Sequence, residues 1–317
     1  MHNKVIPIAL SREEMRGRKR RGPKGRRADA QVLAEVRELL GDASRQRDLL
    51  IEHLHRIQDR YGRLSSGHLT ALAEEMSLAT SEVYEVASFY HHFDIVKEGD
   101  ADPAALTVRV CDGLSCEMAG AQDLLAKLPA ILGRDVRVLH APCIGRCEQA
   151  PAAVVGQNPV PNATVDKIAT LVKAGAVKHE PEKYVDYDEY KSKGGYALLR
   201  ECVTGKRDVE SVIATMESSG LRGLGGAGFP AGRKWKIVRA EAAPRLMAVN
   251  IDEGEPGTFK DRYYLERDPH RFLEGMLIAA WAVGIAGIYI YLRDEYHGCR
   301  TLLERELAKL KADPAMK

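Results

Sequence analysis

The chain has 317 residues, of which 45% are apolar and 29% are charged, and its formal net charge is +2. This length suits about two domains with buried cores, and the balanced charge provides no general field that would attract nucleic acid. The strongly basic stretch RGRKRRGPKGRR, residues 16–27, has eight positive side chains among twelve residues. We interpret residues 1–28 as a disordered basic arm, either solvated or docked on an acidic partner. Nucleic-acid binding is the weaker alternative, because no aromatic residue is interleaved to stack on bases.

Residues 29–100 are predicted to form a small helical bundle. In RQRDLLIEHLHRIQDRYG the apolar residues Leu50, Leu54 and Ile57 share one helix face, and Gly62 ends the run. A second helix begins on a serine in SSGHLTALAEEMSL, and a third covers TSEVYEVASFYHHF. The histidines of this bundle have no carboxylate or cysteine neighbours at ligand spacing, so we expect them to pack or to face solvent.

Four of the six cysteines form two close pairs within the strand–loop–helix pattern of residues 101–178. Cys111 ends the strand-like run LTVRVC and is followed by Cys116, whereas Cys143 ends VRVLHAPC and is followed by Cys147. Loops at the same end of neighbouring strands would bring the four thiols together. The spacing favours a [2Fe–2S] cluster, since structural zinc sites usually have shorter Cys-to-Cys gaps. Disulfides would need an oxidising compartment, and the N-terminus lacks the apolar core of a signal peptide; unliganded thiols remain an alternative.

The C-terminal region, residues 197–317, has an α/β pattern and follows a segment that we interpret as a linker, residues 179–196. That segment is charged and tyrosine-rich, without hydrophobic periodicity. The charge-free run Gly275–Leu292 reaches the lower limit for a membrane span, but Gly284 and Gly287 interrupt it. A buried helix, a glycine turn and a buried parallel strand explain this run better. We therefore expect no membrane span and a cytoplasmic protein.

A glycine-rich loop, GLRGLGGAGFPAG, has six glycines among the thirteen residues from Gly220 to Gly232. Gly223, Gly225 and Gly228 satisfy G-x-G-x-x-G, but that dinucleotide fingerprint must follow a strand, and VESVIATMESSG has helical spacing. Glycines let backbone N–H groups face an anion, and the start of a following helix adds its positive end. We therefore interpret the glycine loop as an anion cradle, with a plain flexible loop as the alternative.

The strand pattern LMAVN leads into an acidic loop, residues 252–257, with the sequence DEGEPG. The region places Asn250, Asp252, Glu253 and Glu255 just past the carboxyl end of a strand, where ligands of open α/β sheets bind. Carboxylate and amide oxygens there can accept hydrogen bonds from ribityl or ribose hydroxyls and from ring N–H groups. A metal site is the rival use of these acids, but no histidine or third acidic loop joins them.

These motifs together resemble a known family of redox subunits. The helical bundle with the four cysteines resembles the 24-kDa-type subunit of respiratory complex I, and the glycine and acidic loops resemble its 51-kDa-type subunit. The fusion of the two is similar to the β subunit of cytoplasmic NAD-dependent formate dehydrogenases that contain molybdenum or tungsten. The fold class implied is α/β: an N-terminal helical bundle plus a thioredoxin-like [2Fe–2S] domain, followed by the first part of an α/β FMN-binding domain. A C-terminal [4Fe–4S] domain of this family is expected only beyond the present sequence, since Cys202 and Cys299 lack C-x-x-C spacing.

The resemblance also implies a function, partners and site residues. The chain would be an oxidoreductase subunit that passes electrons from formate oxidation, through iron–sulfur clusters and FMN, to NAD⁺, without a general acid or base of its own. Its partner would be a catalytic α subunit that holds the molybdenum or tungsten centre and further clusters. The alternatives are the same module in respiratory complex I or in an NAD-reducing hydrogenase, or a cluster-carrying scaffold without flavin turnover. The implied cluster ligands are Cys111, Cys116, Cys143 and Cys147; the FMN contacts are Gly223, Gly225, Gly226, Ala227, Gly228, Lys234, Asn250, Asp252 and Glu253; and the NAD(H) contacts are Phe229 and Glu255.

Overall fold

The structure, a computed structural model, describes residues 27–179, 181–224 and 226–313. Gly225 and nearly all of the predicted basic arm lie outside these residues. The chain divides into two compact units, the first of which ends at Ala105. Each unit has its own buried apolar core. The predicted α/β class is confirmed, with mainly helices in the first unit and mixed strands and helices in the second.

The first unit packs its helices around mainly aliphatic side chains, and a side-chain cap marks the start of two of these helices. Asp29 accepts hydrogen bonds from the N–H groups of Gln31 and Val32 at the start of one helix. Ser65 accepts from the His68 N–H at 3.1 Å at the start of another, which confirms the predicted serine cap. The elements are α1 (Ala30–Leu40), α2 (Leu50–Tyr61), β1 (Leu64–Ser65), α3 (Ser66–Met76), α4 (Thr80–Phe89) and β2 (Ile95–Val96), with β1 and β2 paired in parallel.

Helix α2 confirms the apolar face predicted from the sequence. Leu50, Leu54 and Ile57 are buried, and the helix ends at Gly62, whose φ is +70°. A left-handed conformation at the end of a helix favours glycine, which has no Cβ to clash. His53 is also buried within this bundle, as expected of a packing residue.

A four-stranded mixed sheet opens the second unit. Strands β3 (Leu106–Cys111) and β4 (Val136–Ala141) are parallel, and Cys111 pairs in register with Ala141. The third strand runs antiparallel to β3 and forms a hairpin with the fourth, which completes the sheet. Because parallel neighbours end at the same edge, the loops after β3 and β4 leave the sheet side by side, as predicted. The other elements are α5 (Leu114–Met118), α6 (Ala121–Leu132), β5 (Ala153–Val155), β6 (Asn158–Val160) and α7 (Val165–Lys173).

The rest of the second unit holds two parallel strands, β7 (Arg245–Ile251) and β8 (Ile285–Leu292), among helices. The helix before β8 ends at Gly284, with φ +72°, which confirms the predicted helix, turn and parallel strand. The strand was predicted to be buried, but Tyr289 and Tyr291 are exposed because alternate side chains face away from the core. Within the described residues no helix is long and apolar enough to cross a membrane. The helices are α8 (Tyr187–Ser192), α9 (Ala197–Val203), α10 (Val209–Ser218), α11 (Ala231–Ala240), α12 (Lys260–Leu265), α13 (Pro269–Val283) and α14 (His297–Ala312).

The segment interpreted as a linker, residues 179–196, packs into the second unit through two tyrosines. Tyr187 and Tyr196 are buried, and the Tyr196 hydroxyl lies 2.7 Å from His270 Nδ1. His270 Nε2 lies 2.8 Å from a carboxylate oxygen of Glu306, which also accepts from the Tyr187 N–H at 3.0 Å. The sequence pattern did not predict this packing, because polar hydrogen bonds rather than apolar alternation accompany the burial.

Candidate functional site

The four paired cysteines meet at the edge of the sheet where β3 and β4 end. Cys143 Sγ lies 3.4 Å from Cys147 Sγ, and the Cys111 thiol is in hydrogen-bond contact with both Cys116 and Cys143. Cys111, Cys116 and Cys143 are buried, whereas Cys147 is partly exposed. Contact with Cys111 lowers the pKa of Cys116 to about 7 and raises the pKa of Cys143. The arrangement therefore offers four sulfurs within one small space.

Backbone N–H groups point at these sulfurs from more than one part of the chain. The Ala152 N–H lies 3.4 Å from Cys116 Sγ, and the Gly257 N–H lies 3.1 Å from Cys147 Sγ. Donors of this kind favour the thiolate over the thiol, because they stabilise negative charge on sulfur. The second of these bonds comes from the acidic loop, which lies more than a hundred residues further along the chain.

The described residues between α10 and α11, residues 219–224 and 226–230, are mostly exposed. In the glycine loop, the Gly223 N–H donates to the Phe229 carbonyl at 2.9 Å. Gly226 and Gly228 have φ of +98° and +60°, and a Cβ at either would meet nothing within 4 Å. The predicted helix before this loop is confirmed as α10, so the loop does not follow a strand. The backbone of the two glycines is accessible to a ligand.

Helix α11 begins at Ala231, so the last residues of the glycine loop form its first turn. Gly232 is buried against α10, and a Cβ there would lie 2.5 Å from the Glu217 backbone nitrogen, so glycine permits the close approach of the two helices. Lys234 is exposed in the first turn, and the Arg233 guanidinium lies 5.8 Å from the centre of the Phe229 ring. A helix start with nearby positive charge, beside exposed glycines, suits a phosphate group.

The acidic loop leaves the carboxyl end of β7. Asn250 Oδ1 accepts a hydrogen bond from the Asp252 N–H at 2.9 Å, and Asn250, Asp252 and Glu255 are all exposed. A cavity of about 650 Å³ borders Asn250 and is lined further by Tyr263 and Arg267. Among the residues that the structure describes, no hydrogen bond or ion pair joins the acidic loop to the glycine loop. The two loops therefore offer separate sets of contacts.

Glu253 points inward, unlike the other acids of its loop. Its carboxylate accepts hydrogen bonds from the Asp261 N–H at 3.1 Å and from the Tyr296 hydroxyl at 3.0 Å. Burial opposes ionisation, but these bonds and one from the Arg262 N–H outweigh it and lower the pKa of Glu253. The side chain thus fixes the start of α12, and its expected contact with a flavin stays a prediction.

Arg293 ties the acidic loop to the second cysteine loop, residues 142–148. This buried guanidinium donates to the carbonyl oxygen of Cys143 at 2.5 Å and to that of Glu253 at 2.6 Å. The role of Arg293 was not predicted from the sequence, because a single arginine carries no motif. The one available signal is that it directly follows β8, the strand that neighbours β7.

A second buried arginine, Arg262, reinforces the same connection. It donates to the Gly145 carbonyl at 3.0 Å and to a carboxylate oxygen of Glu266 at 2.6 Å, and it also pairs with Glu148. Arg146 donates to the other carboxylate oxygen of Glu266 at 2.7 Å. Each buried charge therefore has an opposite charge beside it, which buried ion pairs require. This network was also not predicted from the sequence.

Two protein-family models match different parts of the chain. Residues 36–176 match the thioredoxin-like [2Fe–2S] ferredoxin family, and residues 216–316 match the Nuo51 FMN-binding domain. The chain is a fusion of these two domains. The order of domains that the sequence resemblance implied is confirmed, and so are the two cofactors of these domains, a [2Fe–2S] cluster and FMN.

Two named proteins and one solved structure resemble this chain, or part of it, over part of their own length. The NAD-reducing hydrogenase HoxS subunit alpha of Cupriavidus necator is 31% identical over 90% of this chain and 51% of its own. An NADH-quinone oxidoreductase subunit of Aquifex aeolicus is 48% identical over 34% of this chain and 25% of its own. The air-oxidised crystal structure of an NAD⁺-reducing [NiFe]-hydrogenase has a TM-score of 0.67 at 29% identity, covering 85% of this chain and 50% of that one. The chain thus spans about half, or less, of the length of these relatives.

The four-cysteine site of the [2Fe–2S] domain fits its cluster. Four convergent sulfurs are the ligand set of such a cluster, and amide donors to sulfur are typical of its surroundings. Gly113, in the loop between the first cysteine pair, also lies close to these side chains. A Cβ on Gly113 would lie 3.2 Å from Cys143 Cβ and 3.5 Å from Cys111 Sγ.

The glycine loop of the FMN-binding domain fits a phosphate group. Gly226 and Gly228 leave open space, Ala227 between them is exposed, and the start of α11 follows with Lys234 in its first turn. Gly225, the remaining glycine of the predicted cradle, lies outside the described residues.

Proposed function

We propose that this chain is a diaphorase-type electron-transfer module, which connects its [2Fe–2S] cluster and FMN with NAD(H). The observation that carries the proposal is the direct bond between the two cofactor loops, from the Gly257 N–H to Cys147 Sγ at 3.1 Å. The names of the relatives, an NADH-quinone oxidoreductase and NAD-reducing hydrogenases, support NAD(H) as the nucleotide. Since the chain spans only part of these proteins, the complete reaction belongs to an assembly.

The side chains of this module would bind and position cofactors rather than react. FMN, when bound, interconverts two-electron and one-electron transfer. The chain would hold the FMN phosphate by exposed backbone N–H groups and by positive charge, and would leave a face of the site open to the nucleotide. We assign the cluster to Cys111, Cys116, Cys143 and Cys147, the FMN contacts to Gly223, Gly225, Gly226, Ala227, Gly228, Lys234, Asn250, Asp252 and Glu253, and the NAD(H) contacts to Phe229 and Glu255.

We further propose formate as the electron donor, oxidised in the cytoplasm by a partner α subunit with molybdenum or tungsten and further iron–sulfur clusters. The resemblance of the basic stretch and of the tyrosine-rich segment YVDYDEY to the β subunit of such formate dehydrogenases supports this choice. Hydrogen is the second candidate. It is favoured by the match of the HoxS alpha subunit to 90% of this chain, in the same fused layout.

The donor can be tested on the purified native complex by measuring NADH formation with formate and with hydrogen. We expect NADH to form with formate and not with hydrogen. NADH formation with hydrogen alone would replace the formate assignment with the hydrogenase assignment and leave the module intact. A complex that holds the cluster but no flavin, and that does not reduce a dye with NADH, would contradict the module and favour a scaffold role.

A further inference from the structure

A direct hydrogen bond joins the acidic loop to the second cysteine loop. The backbone N–H of Gly257, in the acidic loop, donates to the sulfur of Cys147 at 3.1 Å. Cys147 is also the most accessible of the four paired cysteines, since the other three are buried. A donor from the FMN-binding domain therefore contacts the sulfur of the cluster site that lies nearest its surface.

The local sequence Glu255-Pro256-Gly257-Thr258 explains why this N–H group is available. The Thr258 N–H donates to the Glu255 carbonyl at 3.1 Å, and the Thr258 hydroxyl donates to the same oxygen at 2.6 Å, which closes a β-turn. Pro256 occupies the second position of the turn and Gly257, with φ +91°, the third, as a type II turn requires. The closing bond of such a turn uses the N–H of the fourth residue. The N–H of Gly257 is left to point outward, toward the sulfur.

Buried contacts of Glu253 hold the acidic loop in place close to this bond. The Arg293 guanidinium donates hydrogen bonds to the carbonyl oxygens of Glu253 and Cys143, at 2.6 Å and 2.5 Å. The Tyr296 hydroxyl donates to the Glu253 carboxylate at 3.0 Å. The Gly257 amide is therefore supported by buried contacts rather than by the exposed part of the loop alone. A change in the conformation of the acidic loop would alter its distance from Cys147.

We propose that Gly257 is a positioning residue for the cluster and that its N–H raises the reduction potential of the cluster. The size of this increase depends on how closely the acidic loop keeps the N–H to the Cys147 sulfur. The proposal rests on the proposed cluster at Cys147 and on the proposed cofactor role of the acidic loop. One-electron reduction adds a negative charge that is shared by the cluster sulfurs, so a donor to sulfur stabilises the reduced state more than the oxidised one. By linkage, a ligand that moves the acidic loop changes the potential, and reduction of the cluster changes the affinity for that ligand.

The glycines of the acidic loop offer a matched pair of variants. A Cβ at Gly257 or at Gly254 would meet nothing within 4 Å, so neither alanine variant introduces a clash. Only Gly257 has a positive φ, and alanine there should make the turn relax and carry the N–H away from Cys147. Gly257→Asn is a milder variant, because asparagine tolerates positive φ better than alanine does.

The experiment is an EPR-monitored redox titration of the [2Fe–2S] signal in the native complex that contains wild type, Gly257→Ala, Gly257→Asn or Gly254→Ala. We expect the Gly257→Ala cluster to have a lower midpoint potential, with a roughly tenfold change in the ratio of reduced to oxidised cluster, or about 59 mV for one electron. Gly257→Asn should fall between this variant and wild type, and Gly254→Ala should match wild type.

An intact cluster with the wild-type potential in Gly257→Ala would overturn the proposal, as would an equal decrease in Gly254→Ala. If Gly257→Ala assembles no cluster, Gly257→Asn decides: a lowered potential supports the role of the amide, and an unchanged one refutes it. The proposed function fails by a different result, which is a wild-type complex without any [2Fe–2S] signal.

Discussion

Tyr296 lies so close to Gly145 that a Cβ on Gly145 would come within 2.3 Å of the tyrosine hydroxyl oxygen and 2.4 Å of Cε1. Gly145 belongs to the second cysteine loop and has φ +69°. The same hydroxyl donates to Glu253, in the acidic loop of the FMN-binding domain. The absence of a side chain on Gly145 therefore allows one tyrosine to pack on the [2Fe–2S] domain while it supports the FMN-binding domain.

Replacing Gly145 with alanine should push Tyr296 away from the second cysteine loop. The added methyl group must displace the Tyr296 ring, and we expect a loss of roughly 1–3 kcal/mol from overpacking, besides the cost of the positive φ. Gly62→Ala is the matched control, since Gly62 has φ +70° and no neighbour within 4 Å. The free energy of unfolding of Gly62→Ala should fall only by the cost of the positive φ, about 1–2 kcal/mol. Chemical denaturation would measure both, and equal losses would contradict the packing argument.

The cluster assignment predicts distinct outcomes for the six cysteines. Serine at Cys111, Cys116 or Cys143 should remove most of the iron and sulfide from anaerobically purified protein, because serine is a poor substitute for a thiolate ligand. The same is expected for Cys147. Cys202→Ser and Cys299→Ser are the controls and should retain the cluster. Stoichiometric zinc in the wild-type protein, without a visible charge-transfer band, would show that the cluster assignment is wrong.

Gly226→Val should abolish retention of FMN without unfolding the domain. The glycine has φ +98° and open space around it, so a branched side chain would occupy the approach of the phosphate rather than clash with the protein. Gly205→Val controls for backbone strain, since Gly205 has φ +74° and no neighbour within 4 Å, outside the glycine loop. Flavin content after gel filtration is the measurement. Normal content in Gly226→Val would exclude this loop as the phosphate site.

Asp252→Ala and Glu255→Ala test whether the acidic loop serves the flavin site. Both side chains are exposed, so their loss should leave the fold intact. We expect each variant to lower NADH-driven dye reduction and formate-driven NADH formation together, by roughly tenfold for the loss of one good hydrogen bond. Formate-driven dye reduction should survive, because electrons can leave from the clusters of the partner. A loss of all three activities would point to failed assembly instead.

The buried Glu306 should make the stability of the second unit depend on pH. Burial opposes its ionisation, but hydrogen bonds from His270, Tyr184 and Lys309 outweigh this effect and lower the pKa of Glu306. A carboxyl whose pKa is lowered by folding stabilises the protein above its unfolded pKa of about 4.3, and this contribution is lost as the pH falls through the lower folded value. We therefore expect Glu306→Gln to lose about 1.5–3 kcal/mol at pH 7, as for hydrogen bonds to a charged group.

The difference between wild type and Glu306→Gln should shrink as the pH falls from about 4.3 toward the lower folded pKa of Glu306, because the unfolded chain is protonated first, and it should vanish once the folded carboxyl is protonated as well. Urea denaturation at a series of pH values would measure it. Glu304→Gln, at an exposed position of the same helix, should behave like wild type throughout. A difference that grows on acidification would contradict the assignment of Glu306 as the ionised partner.

Local patterns predicted the elements that carry the redox motifs. The hydrophobic run that ends at Cys111 became β3, and the glycine interruption at Gly284 became the turn between a helix and a parallel strand. The loop position of the acids after β7 also followed from the strand pattern. These features depend on residues close together in the chain, so a single sequence contains the information that fixes them.

The contacts between the two loops could not be predicted in the same way. Arg293 and Arg262 are buried because their partners, such as Gly145 and Glu253, arrive from distant segments. A lone arginine in a sequence is otherwise most simply interpreted as exposed. For the same reason, Glu253 could not be distinguished from the exposed Glu255 before the fold showed which of them turns inward.

Arg293 reaches only main-chain oxygen atoms when it bridges Cys143 and Glu253. Because a carbonyl is present whatever the side chain, substitutions along either loop leave both acceptors available. Substitutions of the exposed acids Asp252 and Glu255 should therefore leave the relative position of the two loops unchanged. Under the proposed assignment of these acids to the cofactors, nucleotide preference could change while the Arg293 contacts between the two loops stay as they are.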